Sequence, residues 1–293
     1  MNDWVIQAQG VRKGFKDKQV LTGVDLDVPR GSVVGLLGKN GAGKTTLIKC
    51  LLGLLRVQGG KVALLGEDPW TLSAAAKERL GYVPQEPSVY SWMKVRQVIN
   101  YIAAFYPHWN YELTDRLVRE WELDPHAKVG PLSVGERQKL AIILALGHEP
   151  QLIIFDEPVA SLDPSARRDF LATILEMTAE REPTILFSTH ITSDLERVAD
   201  RVAILKDGVI TYHDELGRLK DLVKRLHITA AAPLPLSFSV PGMLRREVDG
   251  YSALVSVRDV NDRLVESIKQ QWKATVEVRD LNLEDIFLEM HHA

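Results

Sequence analysis

The eight residues "GKNGAGKT", positions 38–45, carry a spacing with a definite chemistry. Gly38, Lys39, Asn40, Gly41, Ala42, Gly43, Lys44 and Thr45, with Thr46 directly after, fit the pattern of a glycine, four residues and Gly-Lys-Thr. Glycines let successive backbone N–H groups curl around phosphate oxygens, and a helix opening at this point turns its positive end toward them. Lys44 adds a cation near the β- and γ-phosphates, and Thr45 offers a hydroxyl to Mg²⁺. The strand-like "SVVGLLG" before the loop and the helical "TTLIKCLLGLL" after it supply the expected context. By itself the loop implies a nucleoside triphosphate and no more.

A second cluster, "LIIFDEP" at 152–158, ends an apolar strand on two acids. Asp156 is the expected metal ligand and Glu157 the expected base, which polarises the attacking water. Acids also end strands as helix caps, and Pro158 marks a turn. The phosphate loop upstream favours the chemical role. Gln85 in "YVPQE" and His190 in "ILFSTH" also follow predicted strands. Gln85 is placed to reach Mg²⁺ or the attacking water, and His190 to hydrogen-bond a γ-phosphate. With seven other histidines in the chain, their value comes from the ordered set.

These residues need strands that end together and helices behind them. Short β-like stretches ("WVIQA", "VLTGVDLDV") open the chain, and a helical piece lies near Ala74 to Arg79. Apolar residues recur at helical spacing through 95–123, in "VRQVINYIAAFY" and "LTDRLVREWEL". Strand and helix then alternate: "LIIF", a helix from about Ser165 to Glu180, "TILFS", the helix "TSDLERVA" and the hairpin "RVAILKDGVITYH", with Asp207-Gly208 at its turn. That alternation predicts a layered α/β domain with a partly parallel sheet. The regularity changes near Leu219. The remainder reads as strands, one helix near "NDRLVESIKQQ" and a closing amphipathic "LNLEDIFLEM", a small α+β domain.

Length and charge agree with this division. The 293 residues suffice for a large domain and a smaller one, and a net charge of -3 exerts no strong pull toward nucleic acid or anionic lipid. Cys50 is the sole cysteine, so no intrachain disulfide forms and a reducing compartment is the simpler reading. The start "MNDWVIQAQG" lacks a signal-peptide pattern. The uncharged "ITAAAPLPLSFSVPGML" is broken by prolines and falls short of the roughly 20 residues a spanning helix needs.

Taken in order, "GKNGAGKT", "YVPQE", "LSVGERQKL", "LIIFDEP", "SLDP" and "ILFSTH" resemble the ATP-binding cassette (ABC) ATPases, over roughly residues 4 to 217. The resemblance implies a P-loop NTPase, RecA-like α/β core with an antiparallel β-subdomain and an inserted helical subdomain at about 86–147. The nucleotide-binding domain then spans 1–218, and 219–293 form a C-terminal accessory α+β domain that dimerises, regulates or merely packs. ATP and Mg²⁺ are the implied cofactors. Phe15 matches the aromatic position that stacks on adenine, with core packing as the competing reading. Asp163 matches a loop that crosses to a partner subunit, with a plain helix cap as its alternative.

In this family a signature Ser and Gly close over the triphosphate held by the other subunit. The usual pattern is Leu-Ser-Gly-Gly-Gln; here Ser133 and Gly135 remain, while Val134 and Glu136 replace Gly and Gln. Val134 restricts positive φ. Glu136 either adds an anion where triphosphate docks or lies along the first helical turn, where the dipole favours it. These departures predict a closure that is retained but slower or asymmetric, in a homodimer or in a heterodimer whose partner supplies a more typical signature.

A single cassette with no spanning helix resembles the engine subunit of a bacterial or archaeal transporter, peripheral on the cytoplasmic face, with its permease on another polypeptide. Relatives dock a permease helix near the insert that carries Trp92, Trp109 and Trp121, some of which are expected to be exposed and any of which can instead fill a local core. The C-terminal "LNLEDIFLEM" is similar to the ends of ATPases serving exporters. A non-transport cassette ATPase of translation or DNA maintenance, or an ATP-holding regulatory module, is the alternative; Glu157 disfavours the latter.

Overall fold

Apolar runs without interruption and apolar residues in alternation build different sheets here. The computed structural model describes residues 4–16 and 18–292. In chain order its first elements are β1 (Trp4–Phe15), β2 (Lys18–Pro29), β3 (Val33–Leu37), α1 (Lys44–Leu51), β4 (Gly59–Leu64), α2 (Ala74–Glu78), β5 (Leu80–Val83), α3 (Val95–Ala103), α4 (Tyr111–Glu120) and α5 (Val134–Leu146). Then come β6 (Leu152–Asp156), α6 (Pro164–Arg181), β7 (Thr184–Thr189), α7 (Thr192–Val198), β8 (Arg201–Lys206) and β9 (Val209–Glu215). The last are α8 (Leu216–Leu222), β10 (Val223–Ala230), β11 (Met243–Asp249), β12 (Ser252–Arg258), α9 (Asp262–Trp272), β13 (Ala274–Asp280) and α10 (Leu283–His292).

Strands β3, β6 and β7 are buried at every residue. Such strands fit a sheet covered on both faces; its order is β5-β6-β7-β3-β8-β9, and β5 through β8 pair in parallel. By contrast β2 alternates, with Val24, Leu26 and Val28 buried between more exposed neighbours. It pairs antiparallel with β1, and β4 completes a three-stranded sheet. Between the two sheets Leu47, Ile48 and Leu51 of α1 share one core with Val34, Leu36, Ile154 and Leu186.

The chain divides into two compact units, residues 1–190 with 197–213, and residues 191–196 with 214–293. In the first, the helical spacing through 95–123 resolves into two helices. The break holds Pro107, which cannot donate within a helix, and Asn110, whose side chain accepts the Leu113 N–H (2.8 Å) to cap α4. Of the tryptophans there, Trp92 is 72% exposed, Trp109 half-buried and Trp121 buried. So the ring expected at the surface is Trp92, and Trp121 fills a core.

In the second unit an antiparallel sheet runs β11-β12-β10-β13. Its order matches the split β-α-β-β-α-β motif, with the segment 231–242 in place of the first helix. Leu226, Ile228, Val255 and Val257 face one side, where Phe238 and Ile268 cover them.

Candidate functional site

Because β6, β7 and β3 lie side by side and run parallel, their carboxyl ends meet at one edge. Ligands of open α/β sheets gather at such an edge. Here β3 delivers the loop at Gly38, β6 delivers Asp156 and Glu157, and β7 delivers Ser188, Thr189 and then His190.

Two glycines make the loop possible. A Cβ on Gly38 would lie 2.8 Å from the Leu205 carbonyl oxygen. Gly43, at φ 107°, precedes α1 in a left-handed conformation that side chains rarely adopt. That turn leaves the first N–H groups of α1 facing the loop.

Lys44 is only 6% exposed, so its charge needs partners. Its Nζ donates to the Gly38 carbonyl (2.7 Å) and pairs with Glu157 Oε1 (3.0 Å). The other oxygen of Glu157 meets His190 Nδ1 at 2.9 Å. Glu157 itself is 5% exposed and sits at φ 51°, a strained backbone for a non-glycine residue. Two contacts hold that turn: its N–H donates to the Ser188 carbonyl (3.1 Å) and to Ser188 Oγ (3.0 Å).

Asp156 is fully buried beside it. Its Oδ1 accepts from Thr45 Oγ1 (3.1 Å) and Ser188 Oγ (2.9 Å), while Oδ2 has no hydrogen-bond partner. Burial pushes its pKa up, against the pull of the Ser188 and Thr45 hydroxyls. Ser188, which links both acids, was missed by sequence reasoning. The available signal was a hydroxyl ending an otherwise apolar strand within "ILFSTH".

A cavity of about 430 Å³ opens over these groups, and Phe15, Lys44, Thr45, Gln85, Glu157 and His190 all line it. Asn40, Gly41, Gly43 and Thr46 complete the loop's wall. Gly38 contributes its carbonyl to Lys44, and Ala42 bonds back to the Lys39 carbonyl (3.0 Å), tightening the turn. Phe15 is 46% exposed, which removes the core-packing reading; Lys13 Nζ lies 5.3 Å from its ring centre.

Ser133, Val134, Gly135, Glu136 and Asp163 do not line this cavity. Ser133 and Glu136 form a capping box at the start of α5. Ser133 Oγ accepts the Glu136 N–H (3.2 Å), and Glu136 Oε2 accepts the Ser133 N–H (2.7 Å). Of the two placements open to Glu136, the structure takes the first helical turn, and its bonds with Ser133 hold the carboxyl below the usual range. Val134 is a helical residue, 52% exposed and outside the positive-φ set, so the branched side chain strains nothing here. A Cβ on Gly135 would meet the Ser161 carbonyl at 3.1 Å, which ties the signature to the "SLDP" turn. Asp163 caps α6, accepting from the Ser165 and Ala166 N–H groups at 2.9 and 3.0 Å.

Known proteins share this pattern. A family model described as "ABC transporter" matches residues 21–160. The chain is 34% identical to the uncharacterized ABC transporter ATP-binding protein YdbJ of Bacillus subtilis (strain 168), over 72% of this chain and 69% of the relative. This chain belongs to the ABC transporter ATP-binding proteins. It is an ATPase on a P-loop NTPase core, and it binds ATP as the family does.

For this ABC subunit the likeness extends beyond the cassette. YhaQ of the same organism, an uncharacterized ABC transporter ATP-binding protein, is 30% identical over 95% of this chain and 96% of its own length. Nod factor export ATP-binding protein I of Rhizobium sp. (strain N33) is 34% identical over 71% of this chain and 70% of its own. A solved ATP-binding subunit of an ABC transporter superposes with TM-score 0.67 at 30% identity, covering 74% of this chain and 92% of that one.

Proposed function

We propose that the cavity above the phosphate loop holds ATP and that two such subunits close over two nucleotides to drive a separate membrane permease in export. The observation that carries this is the chain Lys44–Glu157–His190, two buried charges and an imidazole joined at the wall of that cavity. A base ready for water and a cation ready for phosphate sit within one ion pair. A triphosphate entering the loop competes for Lys44. Glu157 Oε1 then becomes available to orient a water on the γ-phosphorus and take its proton, while His190 steadies Oε2. Positioning and charge neutralisation supply most of the catalysis in such transfers.

The residues suit Mg²⁺. Asp156 Oδ2 is a buried carboxylate oxygen without a partner, and the Thr45 hydroxyl lies against the same acid. An all-oxygen set of one or two protein groups is what Mg²⁺ takes beside phosphates. When bound there, the ion would neutralise charge on the β- and γ-phosphates. Thr45 and Asp156 would hold it, with Gln85 turned to the ion or to the attacking water.

Phe15 is the adenine platform. Ser133 and Gly135 are the surface offered to the partner's nucleotide, with Asp163 on the adjoining turn. The partner is a second copy or another ABC subunit. Among the described residues no helix is long and apolar enough to cross a membrane. In the function proposed here the permease is a separate chain, and this subunit works on the cytoplasmic face of the membrane. Export rests on similarity to the Nod factor export proteins. The region 86–147 is the helical subdomain and 219–293 the accessory domain.

The test is a pair of substitutions. Lys44→Ala abolishes nucleotide binding or turnover. Glu157→Gln keeps ATP binding, slows hydrolysis by about 10²–10⁴-fold and lengthens the life of an ATP-bound dimer on size-exclusion. Wild-type turnover in Glu157→Gln would move the base elsewhere.

A further inference from the structure

The face of the C-terminal sheet opposite its apolar core carries an unassigned site. Strand register places Arg245 beside Ser256 and Ser256 beside Arg225, so a buried serine lies between two guanidinium-bearing side chains. One step along, Glu247 neighbours Leu254. Together with Glu289 of α10 these residues enclose a cavity of about 210 Å³.

Glu289 decides what the cavity wants. It is 3% exposed; Oε1 accepts from Arg225 at 2.8 Å, and Oε2 is buried with no hydrogen-bond partner. A buried carboxylate oxygen left unpaired is costly, so the site calls for a donor. Arg245 pairs with Glu247 at 2.7 Å on the opposite wall, where both side chains are about half exposed or more and open to exchange. The lining therefore presents two cations and two anions. A simple cation entering it meets two guanidinium groups, and a simple anion meets two carboxylates. An apolar molecule leaves Oε2 unsatisfied. A small molecule with one ammonium and one carboxylate satisfies both walls.

We propose that this cavity is a binding site for a small zwitterion of the α-amino acid class, with the ammonium donating to Glu289 Oε2 and the carboxylate held by Arg245. It lies wholly within the second unit and does not depend on the ATP reading.

The experiment is calorimetric titration of the full chain with the standard α-amino acids, and with acetate and methylammonium as single-charge probes. At least one amino acid binds saturably, and both single-charge probes bind more weakly. Arg245→Ala and Glu289→Gln each weaken the amino acid by about tenfold or more. Arg245 is on the exposed wall, so its variant reports even where Glu289→Gln disturbs the packing of α10. Absence of binding by every amino acid overturns the proposal, as does affinity unchanged in Arg245→Ala. Acetate or methylammonium binding as tightly as the best amino acid also overturns it.

Discussion

His148 should make the first unit acid-sensitive, by an amount the structure allows to be worked out. The ring is 6% exposed, stacks on Tyr106 at 4.0 Å between centroids, and meets the Leu80 carbonyl at 3.1 Å through Nε2. A carbonyl only accepts, so Nε2 carries the hydrogen and the buried, unpartnered Nδ1 carries a lone pair. Protonation would place an N–H⁺ where nothing accepts it. Burial accordingly lowers the pKa from 6.5 to about 4, against the smaller pull of the Leu80 carbonyl. The folded protein thus binds its proton later than the unfolded chain does. Stability from this group is complete above pH 6.5 and is lost as pH falls from 6.5 toward 4. At pH 5 the unfolded imidazole is about 1.5 units below its pKa, and at about 1.4 kcal/mol per unit the loss is about 2 kcal/mol. Urea unfolding of wild type and His148→Gln from pH 7.5 to 5 reads this directly. The glutamine amide keeps a donor for Leu80 and removes the titration. Its stability at pH 7.5 is lower through lost stacking, and the wild-type advantage shrinks by about 2 kcal/mol at pH 5. Parallel losses in the two proteins would refute the reasoning.

Ser133→Ala should cost about 1 kcal/mol by removing the cap of α5, and lower ATPase turnover as well. Glu136→Gln should cost less, about 0.3–1 kcal/mol, because an amide oxygen also accepts the Ser133 N–H but the charge that the helix dipole favours is lost; denaturation and phosphate release measured together separate the two. Gly147→Ala places a Cβ 2.3 Å from the Trp109 ring, so the ring must shift, at a cost of about 1–3 kcal/mol and with red-shifted tryptophan emission. Gly217→Ala, within α8 and with nothing within 4 Å of the added carbon, should instead stabilise by about 0.5–1 kcal/mol, seen as a raised midpoint in urea.

What the sequence disclosed about the site was whatever could be written as a short pattern with a local reason. The loop at 38–45 and the acids at 156 and 157 announce themselves because each motif sits at a strand end, and strand ends are legible from apolar runs. Ser188 was hidden because its importance is a pairing between neighbouring strands: it stands opposite Asp156 in the parallel register, 32 residues away in sequence. His148 was hidden for a similar reason, since burial beside Leu80 spans 68 residues. The amino-acid cavity depends on three strands and a helix meeting, with Arg225, Arg245, Ser256 and Glu289 each unremarked in its own stretch. Helix limits were legible where a cap was present, and the break before α4 became clear only with Asn110 seen in place.

The signature is where local and distant reasons separate. As a sequence, "LSVGERQKL" departs from the usual pattern at Val134, which restricts positive φ, and at Glu136, which either faces the phosphate as an anion or lies along the first helical turn. In the folded chain both lie in the first turn of α5, where Ser133 and Glu136 form a Ser-x-x-Glu box whose acid is satisfied by the Ser133 N–H and favoured by the helix dipole. The consequence for closure follows from counting donors. Under the proposed closure, Glu136 N–H is already committed to Ser133 Oγ, so an incoming phosphate meets the N–H groups of Val134 and Gly135 and the Ser133 hydroxyl, which can donate its own hydrogen while its oxygen keeps the cap. It also meets a carboxylate next to that hydroxyl. Removing only the charge, as in Glu136→Gln, leaves the box and lowers the repulsion, so turnover rises. Removing only the branch, as in Val134→Gly, changes an exposed helical residue and leaves turnover where it was. On the proposed closure, the hindrance therefore lies in the charge of Glu136, and the side chain of Val134 is incidental to it.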